Sequence, residues 1–354
     1  MKGYAKPLHE FIEGHKIQFV IPVYQRNYDW LIDNCDQLFS DLVKLSRSNR
    51  CSHFFGSIVT SSADSSYNRL VIDGQQRLTT ISLLLLAGIK AVKDGAIEIS
   101  EESKIDEAYE VFLKAKFCNS ERKIKLVPIE NDRIAYDKIF NEEDSFDEDS
   151  KVTRNYRHFY DLLTRKPQAL SFDQLLDAIE RLQIISIELD SDDDAQLIFE
   201  SLNSTGLALT EADKIRNYLL MSLTSEEQHM CFKNYWQKIE QATENQPTKF
   251  LRDYLTIQQQ LQRPVRQSNI YYEWKKYMDG HDRKEELVKM LDYAHYYQQV
   301  TEAKLSTAKL SEKMRHICNI ETDVTNVFFI QFLKYASANN LSEDEIFKVI
   351  DLVE

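Results

Sequence analysis

Glycine is scarce in this sequence, with eight residues among 354. These glycines form neither a GxxxxGK(S/T) loop nor a GxGxxG turn, the two common phosphate-binding loops that need glycine at fixed spacing. Any phosphate chemistry of this chain must therefore use a different kind of site. The eight histidines are scattered, without an HExxH pair or an evident Ser-His-Asp set, so no zinc protease or serine hydrolase motif is present.

The cysteines show no pattern that is typical of disulfide bonds or of a metal site. The five cysteines are odd in number, far apart and never arranged as CxxC, so neither a disulfide framework nor a zinc site is indicated. We expect the reducing conditions of the cytoplasm. The longest apolar run, residues 78–92, is shorter than the roughly 20 residues of a membrane span, and the first residues lack the apolar core of a signal peptide. No membrane association is expected.

The chain has no excess of positive charge; its formal net charge is −13. Contacts to nucleic-acid phosphates need lysine and arginine, so a general attraction to nucleic acid is excluded. DNA binding would require a local basic patch. The segment KAKFCNSERKIK, residues 114–125, is a candidate for such a patch, although an ordinary solvated surface explains it as well. With 43% hydrophobic and 29% charged residues, the chain has the composition of a folded protein with room for two domains.

Strand-like segments are few and short. Four segments rich in β-branched or aromatic residues are bounded by turn residues, which is typical of strands; they are residues 17–24, 54–60, 69–72 and 184–189. The polar loop SSADSSYN separates the second from the third and predicts an antiparallel hairpin.

Helical periodicity dominates the rest of the chain. Apolar residues recur at helical spacing after Asp29, which is therefore the expected N-cap of a helix. Residues 78–92 are apolar on most faces, as in an enclosed central helix. From Thr210 onward every pattern is helical. We predict an α+β fold, with a small sheet and many helices in residues 1–215 and an all-α region in residues 216–354.

Polar residues interrupt two apolar runs in the stretch RLVIDGQQRLTT, residues 69–80. A strand ending at Ile72 and a helix starting near Gln76 would leave unpaired N–H groups and the positive end of the helix dipole beside this cluster. Arg77 suits phosphate oxygens, the glutamine amides can donate to phosphate or hold a water molecule, and Asp73 can accept a hydroxyl proton or hold Mg²⁺. The pattern predicts an anion site.

A purely structural role is the alternative for the same cluster. Its residues would then cap the helix, and Asp73 would pair with Arg77. Capping requires only one short polar residue, whereas a buried amide without a partner costs about 1–3 kcal/mol. The sequence therefore favours function while leaving the structural role open.

Two further polar clusters carry weaker signals. In FVIPVYQRNYDW, residues 19–30, an arginine flanked by tyrosines suits a nucleotide or a DNA backbone, although packing of the arginine on aromatic rings is as good an explanation. In residues 198–220, Thr210 and Asp213 form a capping-box pattern at the start of a helix. Capping does not account for three nearby polar residues, Asn203, Arg216 and Asn217. They could face a common cleft, and a position on the surface explains them equally well.

The three clusters together resemble a known family. IPVYQRNYDW, VIDGQQRLTT and FESLNSTGLALTEADKIRN follow one another in the same order as in the N-terminal domain of GmrSD-type restriction proteins, over roughly residues 8–220. The resemblance implies a ParB/sulfiredoxin-like fold, in which a small mixed sheet is surrounded by helices. It also implies an effector of anti-phage restriction, directed against DNA that carries modified bases or a modified backbone.

The resemblance assigns roles to particular residues. It implies that DGQQR is a nucleotide-hydrolysis motif whose catalytic residues are Asp73, Gln75, Gln76 and Arg77, with Asp73 also the ligand of a Mg²⁺ ion. It implies nucleotide contact, or sensing of DNA modification, for the YQR signature; the nucleotide-binding candidates are Gly74, Thr79, Tyr24, Gln25, Arg26 and Asn203. Further candidates are Tyr28, Asp213, Arg216 and Asn217.

Two functional hypotheses follow, besides a plain structural domain. The first is a Mg²⁺-assisted hydrolase of nucleoside triphosphates that senses modified phage DNA. The second is a module that binds nucleotide or modified DNA and signals to a partner without hydrolysis. Family members commonly carry a His-Asn-His nuclease domain, and no HxxP-bearing cluster supplies one here. We expect a piece of a longer protein or a subunit paired with a separate nuclease; an oligomer is compatible with both.

Overall fold

The chain divides into two compact units, residues 1–204 and 205–354. Compactness alone does not show which segments fold independently, so the domain limits drawn from the sequence remain a prediction. The computed structural model describes residues 1–48, 50–62, 67–118, 123–143, 145–165, 170–190, 193–202, 209–319 and 324–354.

The framework of the first unit is a mixed sheet, whose strands among the described residues are β1 (Lys2–Pro7), β2 (Gln18–Val20), β3 (His53–Ser62), β4 (Asn68–Asp73), β5 (Leu126–Val127) and β6 (Leu182–Leu189). Their order is β1-β6-β3-β4-β2-β5. Strand β3 runs parallel to β6 and antiparallel to β4, whereas β2 is parallel to both of its neighbours, β4 and β5. The mixed sheet and the many helices confirm the predicted α+β class.

The predicted strands are confirmed where apolar residues alternate with polar ones or form a buried run. The β3–β4 hairpin and β6 are confirmed, while the first predicted strand is reduced to three residues. Two strands were missed. β1 is an exposed edge strand that pairs only with β6, so its sequence needs no apolar face. β5 has two residues, too few for a periodic pattern.

Helices cover the sheet of the first unit: α1 (Leu8–Ile12), α2 (Ile32–Ser46), α3 (Gln75–Lys93), α4 (Ser103–Ala108), α5 (Glu130–Phe140), α6 (Lys151–Thr164), α7 (Phe172–Glu180) and α8 (Ala195–Leu202). As predicted, α3 is enclosed: the four consecutive leucines at 83–86 are at most 4% exposed. Burial of about four leucines contributes on the order of 6–12 kcal/mol before conformational entropy is counted. α3 is therefore the central packing element of this unit.

Gly88 allows α3 to approach α7 closely. A Cβ atom at this position would lie 2.9 Å from Leu175 Cδ2 and 3.2 Å from Phe172 Cε2, and both of these side chains are buried. We expect Gly88→Val to lower the free energy of unfolding by about 1–3 kcal/mol through overpacking, measured by urea denaturation. Gly3→Val is the matched control, since a Cβ there meets only Ile187, at 3.9 Å. Equal stability of both variants would contradict the close packing.

The second unit is helical throughout the residues described, which confirms the all-α prediction for that part of the chain. Its helices are α9 (Glu211–Leu220), α10 (Ser225–Cys231), α11 (Gln237–Ala242), α12 (Pro247–Gln258), α13 (Ile270–Tyr277), α14 (Arg283–Thr301), α15 (Ala308–Cys318), α16 (Val324–Ala338) and α17 (Glu343–Val353). A π-helical turn, Phe232–Trp236, joins α10 to α11. Thr210 caps α9 in the predicted capping box with Asp213.

Among the described residues, no helix combines the length and apolar character needed to cross a membrane.

Candidate functional site

A single glycine connects the sheet to the central helix. β4 ends at Asp73, α3 begins at Gln75, and Gly74 between them has a φ of 100°. This left-handed conformation favours glycine, and a Cβ atom there would also lie 3.0 Å from Ile58 Cγ1. The abrupt turn places the first N–H groups of α3, which have no acceptor within the helix, at the end of the strand. The predicted helix start beside the DGQQR stretch is therefore confirmed.

Arg77 and Asp73 form a partly exposed pair at this turn. Arg77 Nη2 lies 3.2 Å from Asp73 Oδ2, and the two side chains are 23% and 24% exposed. The same Nη2 donates to the Ser57 carbonyl oxygen at 2.5 Å. The guanidinium lies over Gly56, where a Cβ atom would come within 3.2 Å of Arg77 Cζ.

Arg77 nevertheless retains unused donor capacity. Its Nε–H is buried and has no hydrogen-bond acceptor among the described residues. A buried donor without an acceptor is unfavourable by about 1–3 kcal/mol. The arginine is thus fixed by Asp73, Ser57 and the surface of Gly56, and its buried Nε–H has no acceptor among the described residues.

The two glutamines of the motif do not point to solvent. Gln75 and Gln76 are 8% and 9% exposed. Gln76 Oε1 accepts the N–H groups of Asp29 and Trp30 at 2.8 and 3.3 Å, and its Nε2 donates to the Asn27 carbonyl oxygen at 3.2 Å. Gln76 therefore binds the main chain of the loop that carries the YQR signature.

Gln75 and Gln25 complete this connection. Gln75 Nε2 donates to the Arg26 carbonyl oxygen at 3.1 Å and to Gln25 Oε1 at 3.5 Å. Gln25 Nε2 donates to the Ile72 carbonyl oxygen at 2.9 Å, at the end of β4. The structure thus brings the YQR and DGQQR clusters together. It joins them through buried amides that support the main chain.

Asp29 is not the N-cap of α2, and that prediction was wrong. The helix begins at Ile32 with Leu31 as its N-cap residue. The Asp29 N–H is already bound by Gln76, and its carboxylate forms ion pairs with Arg26, at 3.6 Å, and with Lys151. The preceding loop is tied to α3 and α6, so the chain enters α2 two residues later than local capping preferences indicate.

Tyr28 is a buried anchor of the same loop. Its hydroxyl lies 2.7 Å from Thr80 Oγ1 and accepts from Asn155 Nδ2 at 3.0 Å. Its main-chain N–H donates to Asp132 Oδ2 at 2.6 Å. Burial raises the pKa of the Tyr28 hydroxyl, so it stays protonated and serves as a hydrogen-bonding group. These contacts favour a structural role for Tyr28.

Asp132 makes the stability of this loop dependent on pH. Burial, with a smaller contribution from nearby Asp29, raises the pKa of the Asp132 carboxyl from 3.8 to about 6. Because the folded-state pKa is higher, the ionised group destabilises the fold above pH 6, and this cost disappears as the pH falls towards 4. We expect Asp132→Asn to raise the free energy of unfolding by about 1–2 kcal/mol at pH 7.5 and by little at pH 4. Urea denaturation at both pH values measures this, and a gain independent of pH would contradict the assignment.

The remaining predicted residues lie in different places. Tyr24 and Thr79 are buried, at 1% and 2% exposure, and burial raises the pKa of the Tyr24 hydroxyl. Asn203 lies outside the described residues. Asp213, Arg216 and Asn217 belong to the second unit, where Arg216 forms ion pairs with Asp213 and Glu240 at 2.8 and 3.0 Å.

Sequence reasoning missed several partners of the site. Gly56 and Ser57 support Arg77 from the neighbouring strand, and Asp132 and Asn155 hold the loop at Tyr28. The last two lie 104 and 127 positions from Tyr28 in sequence, so no local pattern indicates them. Gly56 follows two aromatic residues within a strand, and an isolated glycine inside a strand is the one available signal of close approach.

No group of three or more His, Cys, Asp or Glu side chains that could hold a metal ion occurs among the described residues. A Mg²⁺ ion does not require such a group when one carboxylate and the phosphates of a substrate supply its ligands. Asp73 fits this limited role because its Oδ1 atom has no hydrogen-bond partner among the described residues, while its Oδ2 atom contacts Arg77.

Fold and site together define an α+β domain whose central helix starts beside a carboxylate and a guanidinium, outside the P-loop class. The sequence model of the GmrSD restriction endonuclease, N-terminal domain, matches residues 8–220, and the chain belongs to this family. No curated protein matches the chain. Membership places the protein in a restriction system and supports a role in anti-phage defence.

Proposed function

We propose that this protein is the nucleoside triphosphate hydrolase and DNA-sensing module of its restriction system. One observation carries the proposal: Asp73 and Arg77 are paired and partly exposed where β4 runs into the positive end of α3. A helix N-terminus next to a fixed guanidinium is suited to phosphate oxygens. A carboxylate beside them supplies the group that a phosphoryl-transfer site needs for metal or water.

The residues of the motif have separate tasks in this proposal. Arg77 and the first N–H groups of α3 hold the phosphates and stabilise the charge that develops on them. Asp73 orients the attacking water or accepts its proton. Gln75 and Gln76 are buried and form hydrogen bonds with the main chain of the loop. We therefore assign them to positioning the loop and not to contact with the attacking water.

Mg²⁺ is the metal we propose for this site, held by Asp73 together with the nucleotide phosphates. When bound, it would neutralise phosphate charge. Arg26 is 17% exposed on the same loop and is the second cation proposed to contact the nucleotide.

A phosphate-release assay with ATP, GTP, UTP and CTP, with and without DNA, tests hydrolysis directly. We expect turnover of at least one triphosphate. Nucleotide binding without release under any condition would instead support the non-hydrolytic signalling module. A specific observation favours that second candidate: Arg77 already contacts both Asp73 and the Ser57 carbonyl oxygen, so catalysis requires this pair to open or to accept a further ligand.

Two lysines beside an exposed aromatic ring on the first unit are the candidates we propose for DNA contact. Phe117 is 63% exposed, its N–H donates to the His15 carbonyl oxygen at 2.9 Å, and the two rings meet edge to face. Lys116 immediately precedes Phe117 and pairs with Glu110 at 2.6 Å, while Lys114 lies over the Tyr109 ring. Lysines around an exposed aromatic ring suit a nucleic-acid backbone and an unstacked base.

Reversing charge on this surface should weaken DNA binding. For the double variant Lys114→Glu, Lys116→Glu we expect a loss of affinity of about tenfold or more, and a slope of log affinity against log salt that is shallower by about 1–2. Fluorescence anisotropy with a labelled oligonucleotide measures both quantities. The control Lys233→Glu, Lys238→Glu changes the net charge equally on the second unit. If both variants lose the same affinity, overall charge and not this surface is responsible.

The proposed partner is a His-Asn-His nuclease, present either as a further domain or as a separate subunit. Cleavage of DNA is assigned to that partner and not to the residues described above. Nucleotide turnover and DNA contact on this chain would then control when the nuclease acts.

A further inference from the structure

The second unit contains a cavity that the proposed function does not use. Its volume is about 590 Å³, and its walls come from α9, the end of α11, the turn before α12, the first turns of α12 and the start of α13. Cavities of 300–1,000 Å³ are typical of small-molecule sites. The question is which ligand chemistry its walls accept.

One wall carries a fixed arginine. The Arg216 side chain is 8% exposed, and its guanidinium is held by Asp213 Oδ1 at 2.8 Å and Glu240 Oε1 at 3.0 Å. Glu240 is held in turn by Trp236 Nε1, which donates to it at 2.7 Å. The arginine is therefore immobilised before any ligand arrives, so little conformational entropy is lost on binding.

Two more cations line the cavity from the beginning of α12. Lys249 and Arg252 are three positions apart on this helix, so they lie on the same face. Arg252 pairs with Asp253 at 3.2 Å. Lys249 is exposed and forms no ion pair with any described residue.

Lys249 occupies the end of α12 that is unfavourable for a cation. The first turn of α12 contains no acidic residue, and its N-cap, Gln246, makes no side-chain cap hydrogen bond. By contrast, acidic residues occupy the first turns of α9 and α14. Lys249, in the first turn, opposes the helix dipole, and Lys249 and Arg252 repel each other at their spacing of three residues. An anion in the cavity would relieve both effects.

We propose that this cavity binds a phosphate-bearing small molecule, with the phosphate at Lys249 and Arg252 and the rest against the apolar and amide walls. Pro247 supplies apolar surface, while Asn245 and Gln267 supply hydrogen-bonding amides, a combination that suits a nucleoside. Its lining residues all belong to the second unit, whereas Asp73 and Arg77 belong to the first, and the proposal does not depend on hydrolysis at that pair.

Thermal unfolding of the full chain tests the proposal in the Arg77→Ala background, which removes phosphate binding at the first site. The probes are pyrophosphate, the four nucleoside monophosphates, and an oligonucleotide with and without a 5′ phosphate. We expect at least one phosphate probe to raise the unfolding midpoint in a saturable way. A response to mononucleotides supports a free nucleotide as the ligand, whereas a response only to the 5′-phosphorylated oligonucleotide would overturn the small-molecule proposal in favour of a DNA end.

Charge reversal at the cavity provides the decisive comparison. We expect Lys249→Glu to weaken the apparent affinity about tenfold or more, because one favourable charge is replaced by a repulsive one. Lys238→Glu, outside the cavity, should behave like the parent protein. The proposal is overturned if no probe gives a saturable shift, or if Lys249→Glu and Lys238→Glu respond equally. Loss of turnover in Arg77→Ala with unchanged phosphate binding separates this site from the proposed hydrolytic one.

Discussion

Replacing Arg77 by alanine is expected to reduce nucleoside triphosphate turnover by about 10²- to 10³-fold, the usual effect of removing one donor that stabilises developing charge. The fold should survive, because the Asp73 pair is partly exposed and such pairs contribute at most about 1 kcal/mol. Phosphate release measures turnover, and thermal unfolding measures stability. Asp73→Asn, which keeps the shape of the side chain but removes its charge, should cause a loss of similar size.

Arg69→Ala is the matched control for this experiment. Arg69 lies on β4, four positions before Asp73, and its Nη1 donates to Ser62 Oγ at 2.9 Å. Because it does not share the turn at Gly74, we expect turnover within about twofold of wild type, as for other surface changes away from a site. Full activity of Arg77→Ala, or equal losses in both arginine variants, would reject the assignment of Arg77 as the phosphate-holding residue.

Gln76→Leu should mainly lower the stability of the fold, whereas Arg77→Ala should mainly lower turnover. The change leaves the N–H groups of Asp29 and Trp30 and the carbonyl oxygen of Asn27 without the partners that Gln76 now supplies. Asp29 and Trp30 are half-buried and Asn27 is exposed, so the cost of about 1–3 kcal/mol for a fully buried group that loses its partner applies only in part to each of them. We expect a total loss of about 2–5 kcal/mol in the free energy of unfolding. Turnover should fall as well, because Arg26 on the same loop is no longer held beside the motif.

The control is Gln37→Leu on the exposed face of α2, where the glutamine contacts only Asp41, at 2.9 Å. It should change stability by less than about 0.5 kcal/mol. Urea denaturation and phosphate release on the same samples distinguish the two kinds of residue. A stable but inactive Gln76→Leu would show that Gln76 acts in the chemistry itself, and the positioning role would then be wrong.

The turn between β4 and α3 illustrates what a linear pattern can predict. Gly74 followed by a long apolar segment indicated an abrupt strand-to-helix change, and both the left-handed glycine and the enclosed helix are observed. These features depend on backbone freedom and on periodic burial, which are properties of neighbouring residues. The missed edge strand β1 shows the limit, because it is defined by its pairing with β6.

The direction of each polar side chain required the tertiary structure. The four hydrogen-bonding residues of the DGQQR motif looked alike in the sequence, yet Asp73 and Arg77 are partly exposed while Gln75 and Gln76 are buried. Their partners lie 20 to 50 positions away along the chain. No local pattern specifies which distant carbonyl oxygen or N–H group comes within 3 Å of a given amide.

By itself the sequence determined the α+β class, the enclosed helix, the helical second half and the family, because these follow from periodicity and from motifs that are contiguous in the chain. The tertiary structure alone decided which motif residues remain accessible to a ligand and which support the loop. It also placed Lys249 and Arg252 beside Arg216 in one cavity. Both outcomes depend on long-range packing, since a hydrogen bond or a cavity exists only once distant segments have been brought together.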